Sequence, residues 1–513
     1  MKQKGMVYLV GAGPGDAGLL TLRGAELLKR ADVVVYDALV NTELLRLASK
    51  TAEIIYGGKR AREHAIPQEE LNRLLIKKAK EGKTVVRLKG GDPYVFGRGG
   101  EEAEELHDAG IPFEVVPGVS SITAAANYAG IPITHRSHSS SFTVVTGHEN
   151  PAKDVSSVDW AWLSKEPGTK VILMGVERIR EIASELIRHG LSADTPVGMV
   201  RWGTRGRQSS IDGTLATIAD LVEQKNFGAP AITIIGGVVK LRPKLNWFEK
   251  RPLFGQSIVV TRTREQAGQL ARQLHELGAD VLEIPTIKTE EPQNKSDLMD
   301  AMLTLGEFDW IVFTSPNGVD AFFGYFFKGF DDIRALGNLR IAAVGPATAA
   351  RLKELHLRVD AMPEEYVTVK VAEAISSFES IENLRILLMR AEVANQELPQ
   401  ELERLGAIVD DVACYRTVAE TEDVNGSAAR LSELGADWVT FTSSSTVENF
   451  NARFNLPRLK EQFPGIRFAS IGPETSKTLR QFGVEPDAEA REHNIPGLIK
   501  VLREESRRED RTA

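Results

Sequence analysis

The sequence predicts an α/β protein in two halves, residues 1–244 and 254–505, the second built on an internal repeat. Three observations carry this. Strand-length apolar runs alternate with amphipathic stretches, as where LRGAELLKRAD precedes Val33-Val34-Val35-Tyr36, the pattern of layered domains with largely parallel sheets. The segment Arg242 to Gly255, RPKLNWFEKRPLFG, has two prolines, mixed charge and no periodicity, and a fresh strand at Ser257 to Thr261 follows it. Beyond it, DWIVFTSPNGV at 309–319 recurs as DWVTFTSSSTV at 437–447, so that Trp310, Phe313, Thr314 and Ser315 return 128 residues later. The same offset takes Arg262 to Arg390, Gly278 to Gly406 and Thr289 to Thr417, which implies two similar α/β lobes with a cleft at their junction.

The chain opens on MVYLVGAGPGDAGLLT, a strand running into the glycine turn Gly11-Ala12-Gly13-Pro14-Gly15. A dinucleotide fingerprint would end this turn with a third spaced glycine, where this chain has Asp16, and Pro14 lacks the N–H that a phosphate would use. A carboxylate at a helix N-terminus also repels pyrophosphate. Asp37 closes the next strand and imitates a ribose-binding acid, but the turn suits a phosphate-free ligand that approaches main chain closely.

At 513 residues the chain exceeds one core and should form about three or four domains. Its 42% hydrophobic and 26% charged content is that of a soluble globular protein, and nothing in it approaches the roughly 20 apolar residues of a membrane span. No signal-peptide pattern opens the sequence, and a cytoplasmic location is expected. A net charge of −8 argues against a general nucleic-acid binder and leaves room for local arginine clusters. With Cys414 as the sole cysteine and no paired histidine motif, neither a disulfide framework nor a metal site is expected.

Further motifs are more specific. VVRLKGGDPYVFGRGGEE at 85–102 joins a strand to two glycine turns. It is accompanied by YDALV at 36–40, GGKR at 57–60, VPGVSS at 116–121, AGIPITHR at 129–136, VILMGV at 171–176 and PAITIIGGVV at 230–239. In this order they closely resemble the uroporphyrinogen-III C-methyltransferase family over essentially all of 1–244. The resemblance implies a tetrapyrrole-methylase fold, two α/β domains divided near residue 118 with S-adenosyl-L-methionine in the cleft. It implies transfer of two methyl groups to uroporphyrinogen III, giving precorrin-2 for sirohaem and cobalamin. The implied cofactor contacts are Pro14, Gly90, Gly91, Asp92, Val95, Ser120, Ser121, Met174 and Gly203; at 120–121 the family often has Thr-Ala instead of Ser-Ser. Asp37 and Lys59 match the family's proton acceptor and donor, whereas spacing alone reads them as a helix cap and a surface ion-pair partner. The substrate's carboxylates call for cations, with Arg60, His64, Arg98 and Arg136 as candidates beside Arg62, His135 and Arg201.

In the second half, GQSIVVTRTREQAGQLARQLHELGADVLEIPTIKT, FDWIVFTSPNGVDAFF, AAVGPATAARLKE, DDVACYRT, WVTFTSSSTVENF and SIGPETSKTLRQFG are similar to the uroporphyrinogen-III synthase family over about 254–485. The resemblance implies a bilobal α/β synthase fold with a two-stranded connection, converting hydroxymethylbilane to uroporphyrinogen III without a cofactor. Tyr415 matches a family tyrosine proposed as the acid; it either donates a proton to the departing oxygen or only packs and binds. Thr314, Ser315, Asn317, Thr442 and Ser443 sit on loops after strands and either bind carboxylates or cap helices, while Arg262 and Arg390 are further binding candidates. The repeat alone also fits a non-catalytic tetrapyrrole-binding module.

Residues 245–253 read as a linker, 254–505 as the synthase unit and 506–513 as a disordered, solvated tail. The stretch from 242 to 255 spans at most about 50 Å, which permits the two halves to lie close. The expected partners are small tetrapyrroles, with no nucleic acid and no membrane, and the resemblance implies a homodimer through the first half.

Overall fold

The computed structural model describes residues 5–49, 51–58, 67–147, 158–262, 264–365, 367–423 and 425–512 of the chain, which form four five-stranded sheets. The first sheet comprises β1 (Met6–Gly11), β2 (Val33–Tyr36), β3 (Glu53–Tyr56), β4 (Thr84–Lys89) and β5 (Phe113–Val116), all parallel in the order β3-β2-β4-β1-β5. β1 and β2 are continuous apolar runs because helices cover both faces, while β4 between them carries the buried charges Arg87 and Lys89. Tyr8 and Val10 face Leu27 and Leu28 of helix Leu22–Arg30, while Val7 and Leu9 face Leu71 and Leu75 of Gln68–Lys80 and Leu106 of Gly99–Asp108. Thr21 caps the first of these helices, accepting from the Gly24 N–H at 3.1 Å.

The second sheet comprises β6 (Phe142–Thr146), β7 (Thr169–Leu173), β8 (Pro196–Arg201), β9 (Ser209–Thr214) and β10 (Ala231–Ile235), in the order β6-β7-β10-β8-β9. Here the largely parallel arrangement expected from the alternation gives way. Only β6–β7 is parallel, and the other three pairings are antiparallel. The cause is local, since the short loop Trp202–Gln208 returns β8 directly into β9 and leaves no crossover helix for a parallel strand. Ile179, Ile182, Ala183 and Leu186 form the buried stripe of helix Ile179–Arg188, with spacings of one helical face. On the opposite side of the sheet, Ala125 and Ala126 of helix Ser121–Tyr128 pack on Val200, Ile232 and Ile234.

The third and fourth sheets are built from β11 (Ser257–Val260), β12 (Asp280–Glu283), β13 (Ile287–Glu290), β14 (Trp310–Phe313), β15 (Arg340–Ala343), β16 (Arg385–Ala391), β17 (Ile408–Ala419), β18 (Trp438–Phe441), β19 (Arg467–Ser470) and β20 (Ala488–Glu489). Their orders are β12-β11-β18-β19-β20 and β13-β17-β16-β14-β15. The two lobes are therefore not the two sequence repeats. Each lobe takes its first strand pair from one repeat and its second from the other, β11–β12 with β18–β19 and β16–β17 with β14–β15. The lobes are joined where β13 pairs antiparallel with β17, and the repeated residues Thr289 and Thr417 stand directly opposite each other there. A local twofold relation between the repeats thus runs through that pair.

Two segments depart from the sequence reading. The linker is packed: Arg242 pairs with Asp212 at 2.6 Å and Glu249 at 2.5 Å, and the Trp247 and Phe248 rings lie 4.9 and 4.8 Å from that of Tyr128. Leu253, at its end, is buried beside Ile258, Leu270 and Leu502. The expected disordered tail continues helix Ile495–Thr512, because Leu498, Ile499 and Leu502 bury one face and the Ser506 hydroxyl donates to the Pro252 carbonyl at 3.1 Å.

Candidate active sites

In the first half, three loops meet at the carboxyl ends of β1, β4 and β5, where parallel sheets place their ligand sites. Gly13 and Gly91 exchange backbone hydrogen bonds, Gly13 N–H to Gly91 O at 3.2 Å and Gly91 N–H to Gly13 O at 2.7 Å. Asp92 closes the cluster: one carboxylate oxygen accepts from the Gly118 N–H at 2.9 Å and the other from the Tyr94 N–H at 2.8 Å. A side chain at Gly118 would overlap the Gly91 carbonyl, and one at Gly11 would stand 2.5 Å from the Gly118 Cα. Gly91, with φ of 68°, has nothing within 4 Å on its Cβ side, so the interlocked loops present bare main chain to an open face. Leu39 lies 3.2 Å from where a Gly90 Cβ would be, and Val95 is exposed beside them.

Asp16 is fully engaged, since it caps the turn Ala17–Leu19 through the Gly18 N–H at 2.8 Å and accepts from the Tyr128 hydroxyl at 2.7 Å. Burial and that carboxylate push the Tyr128 phenol well above its ordinary range. The Asp16 N–H donates to Thr204 Oγ1 at 2.9 Å, which brings the Trp202–Gln208 loop, and Gly203 with it, against the Pro14 turn. Gly203 is required by contact, as a Cβ there would overlap Ala125. Ser120 caps helix Ser121–Tyr128, accepting from the Ile122 N–H at 3.3 Å, and Ser121 begins that helix. Met174 follows β7 and is 50% exposed, with φ of 53°. Phe96, Arg98, Trp202 and Thr204 share this left-handed backbone, and such strain gathers at ligand-binding loops.

Asp37, at the end of β2, caps no helix. It pairs with Arg87 Nη2 at 2.6 Å, and Arg87 Nε reaches Glu102 at 3.2 Å. Lys89 Nζ lies 2.7 Å from the same Glu102 oxygen, and Arg87, Lys89 and Glu102 are buried. Burial, then the Arg87 charge, lowers the Lys89 ammonium from its usual range. The quoted motif contains all three residues, and charges alternating along an otherwise apolar strand are the signal for this network. Arg98 is exposed and pairs with Glu101 at 2.6 Å, which raises its guanidinium. Arg136 is exposed in the turn His135–Ser139. Lys59, Arg60, Arg62 and His64 lie outside the described residues.

In the second half, Tyr415 and Ser315 share a hydrogen bond at 3.0 Å, and Ser315 also caps helix Pro316–Gly329 through the Gly318 N–H at 3.1 Å. Tyr415 lies beside a register shift between β16 and β17, a bulge that re-aims the strand. Burial raises its phenol, with the Ser315 hydrogen bond acting in the opposite sense. Ser443 caps helix Ser444–Phe454 in a capping box with Thr446. Thr314 and Thr442, one residue earlier in each repeat, are half-buried, and Asn317 sits in the first turn after Ser315. Arg390 is buried and committed within its lobe, with Nε on Asp411 at 2.5 Å and the other nitrogens on Asp411 and the Asn395 carbonyl. Arg262 occupies the matching position in the other lobe, half-buried, its guanidinium lowered by burial. Cys414 is buried with its thiol pushed up to about 12. Among the described residues no group of acids, histidines or cysteine is arranged to hold a metal ion.

A two-domain unit with interlocked glycine loops, followed by a bilobal unit with paired hydroxyl-bearing strand ends, defines a fusion of two α/β units. The family model for tetrapyrrole (corrin/porphyrin) methylases matches residues 6–219, and that for uroporphyrinogen-III synthase HemD matches 268–500. A porphyrin biosynthesis protein HemD of Ruminiclostridium josui is 42% identical over 94% of each chain. A uroporphyrinogen-III C-methyltransferase of Bacillus subtilis (strain 168) is 39% identical over 78% of this chain and 83% of its own. The solved native uroporphyrin III C-methyl transferase of Thermus thermophilus is 42% identical, covering 46% of this chain and 99% of its own at a TM-score of 0.40. The chain belongs to the family in which a tetrapyrrole methylase is joined to a uroporphyrinogen-III synthase. It is a bifunctional enzyme of tetrapyrrole biosynthesis whose first half is an S-adenosylmethionine-dependent methyltransferase and whose second half is the synthase.

Proposed function

We propose that the second half closes hydroxymethylbilane to uroporphyrinogen III and that the first half then methylates this product twice, giving precorrin-2 for sirohaem and cobalamin. The observation that carries the reading is the open face of Gly90-Gly91-Asp92 beside the Pro14 turn, where bare main chain and an acid suit a bulky ligand without phosphates. S-adenosylmethionine bound there supplies an electrophilic methyl for attack by a pyrrole carbon. Asp92, already accepting two N–H bonds, keeps its own loop in register with the Gly118 loop. Arg87 orients the Asp37 carboxylate at the mouth of β2, where it takes the ring proton that methylation releases. Lys59 is the proton donor in this reading. In the synthase, Tyr415 gives its proton toward the departing hydroxyl of the bilane while Thr314 and Thr442 hold substrate carboxylates. The capping duty of Ser315 and Ser443 leaves those neighbouring hydroxyls for substrate.

Among the described residues no helix is long and apolar enough to cross a membrane, and we place the reactions in the cytoplasm. Dimerisation through the first half is checked by light scattering. The deciding assay supplies the purified chain with enzymatically generated hydroxymethylbilane, with and without S-adenosylmethionine. Uroporphyrinogen III without the donor and its dimethylated product with it are expected. Isomer I alone in the first tube would reduce the second half to a binding module.

A further inference from the structure

The loop Trp202–Gln208, which carries Gly203, touches both halves of the protein. On one side Thr204 Oγ1 accepts from the Asp16 N–H at 2.9 Å, and a Cβ at Gly15 would stand 2.9 Å from both Thr204 and Arg205. Arg205 Nη2 donates to the Leu39 carbonyl at 2.8 Å, in the loop that follows Asp37. On the other side, the Gly206 carbonyl accepts from the Gly255 N–H at 3.2 Å, and a Cβ at Gly206 would overlap the backbone of Ala279 and Asp280 in the synthase half. Asp280 pairs with Arg430. Arg207 lies 3.6 Å from the Trp202 ring centre, and burial pushes its guanidinium down to about 10, with Asp280 opposing that shift. Two further contacts cross the same seam: Arg46 with Glu283, and His275 Nε2 with Glu43 at 3.6 Å.

Trp202 and Thr204 both hold left-handed backbone, with φ of 50° and 72°. A loop bearing two such non-glycine residues relaxes unless its surroundings over-determine it. Part of what over-determines this one belongs to the other enzyme. We propose that the synthase half sets the methyl-donor affinity of the methyltransferase half by clamping the Trp202–Gln208 loop, with Arg205 and Gly206 as positioning residues. The clamp rests on the reading of the glycine loops as the methyl-donor site. It acts on binding rather than on methyl transfer, because neither residue belongs to the set that faces substrate.

The test uses the full-length chain, with S-adenosylhomocysteine titrated calorimetrically and methylation rates measured against S-adenosylmethionine. Gly206→Ala pushes the loop away from Ala279 and Asp280. It is expected to raise the Kd for S-adenosylhomocysteine and the KM for S-adenosylmethionine by about tenfold, with kcat at saturating donor and synthase turnover unchanged. Arg205→Met, which releases Leu39, is expected to act in the same direction, and Arg205→Lys to restore part of the affinity because one donor remains. If Gly206→Ala does not fold, Glu283→Gln, which loosens the same seam at Arg46, decides the matter by the same Kd readout. An unchanged Kd in the folded variants overturns the clamp. Failure of the unsubstituted chain to bind S-adenosylhomocysteine is a distinct result, which overturns the methyl-donor reading and the clamp with it.

Discussion

Tyr415 and Glu102 show how differently two buried polar side chains are used. The Tyr415 hydroxyl shares a hydrogen bond with Ser315 and is raised by burial, so it stays protonated beyond the ordinary alkaline range of a tyrosine. As the proposed general acid, Tyr415 would contribute about a hundredfold, and Tyr415→Phe is expected to lower synthase kcat by about that factor while leaving methylation intact. Because an acid must be protonated to act, this role predicts that turnover of the unsubstituted enzyme shows no alkaline fall until pH passes the normal tyrosine range. A pH–rate profile checks this. Glu102 is instead a counter-charge, its one oxygen facing both Arg87 and Lys89 in a dry interior. Glu102→Ala leaves buried Lys89 without its ion-pair partner and Arg87 with Asp37 alone, and should cost the first domain about 3–5 kcal/mol, read as lost hydrogen-exchange protection at β1 and β4. Arg390 belongs with Glu102. Its nitrogens are taken by Asp411 and Asn395, and spacing that marked it beside Arg262 as a carboxylate binder carried no sign of those partners.

At the scale of elements, loops rather than strands decide what the first half can hold. The glycine turns after β1 and β4 were legible because their local pattern requires close main-chain approach. The sequence did not mark Gly118 as the piece that locks them together, although VPGVSS contains it. Gly118→Ala drives a methyl into the Gly91 carbonyl. It is expected to weaken S-adenosylmethionine binding by at least about a hundredfold in a calorimetric titration, without changing synthase turnover. The helix Ile495–Thr512 teaches the opposite lesson. Its charged last turns look like a frayed end, yet Ser506 is anchored on Pro252 from the segment between the halves.

In the whole molecule, the 128-residue repeat and the two lobes are different divisions of the same chain. Each sheet of the synthase half completes itself with strands from both repeats, and Thr289 pairs with its own repeat mate Thr417. A fragment of residues 257–384, one repeat, would leave β11–β12 and β14–β15 without their partner strands. It should give no cooperative thermal transition by circular dichroism. Residues 287–419 contain every strand of one lobe, and that fragment should melt cooperatively with native-like secondary structure.

By itself the sequence determined the α/β class, the duplication, and the glycine loops with Asp92. Each of these is written in local pattern: apolar periodicity, left-handed turns that glycine permits, and residues repeated at one spacing. Only the tertiary structure decided that the second sheet is mixed, that Asp37 answers to Arg87, and that Ser315 meets Tyr415. It alone decided that the repeats exchange strands and that one enzyme presses on a loop of the other. Those outcomes depend on which distant segments come into contact, and the free energy of such contacts belongs to pairs of residues far apart in the chain rather than to any stretch that can be read on its own.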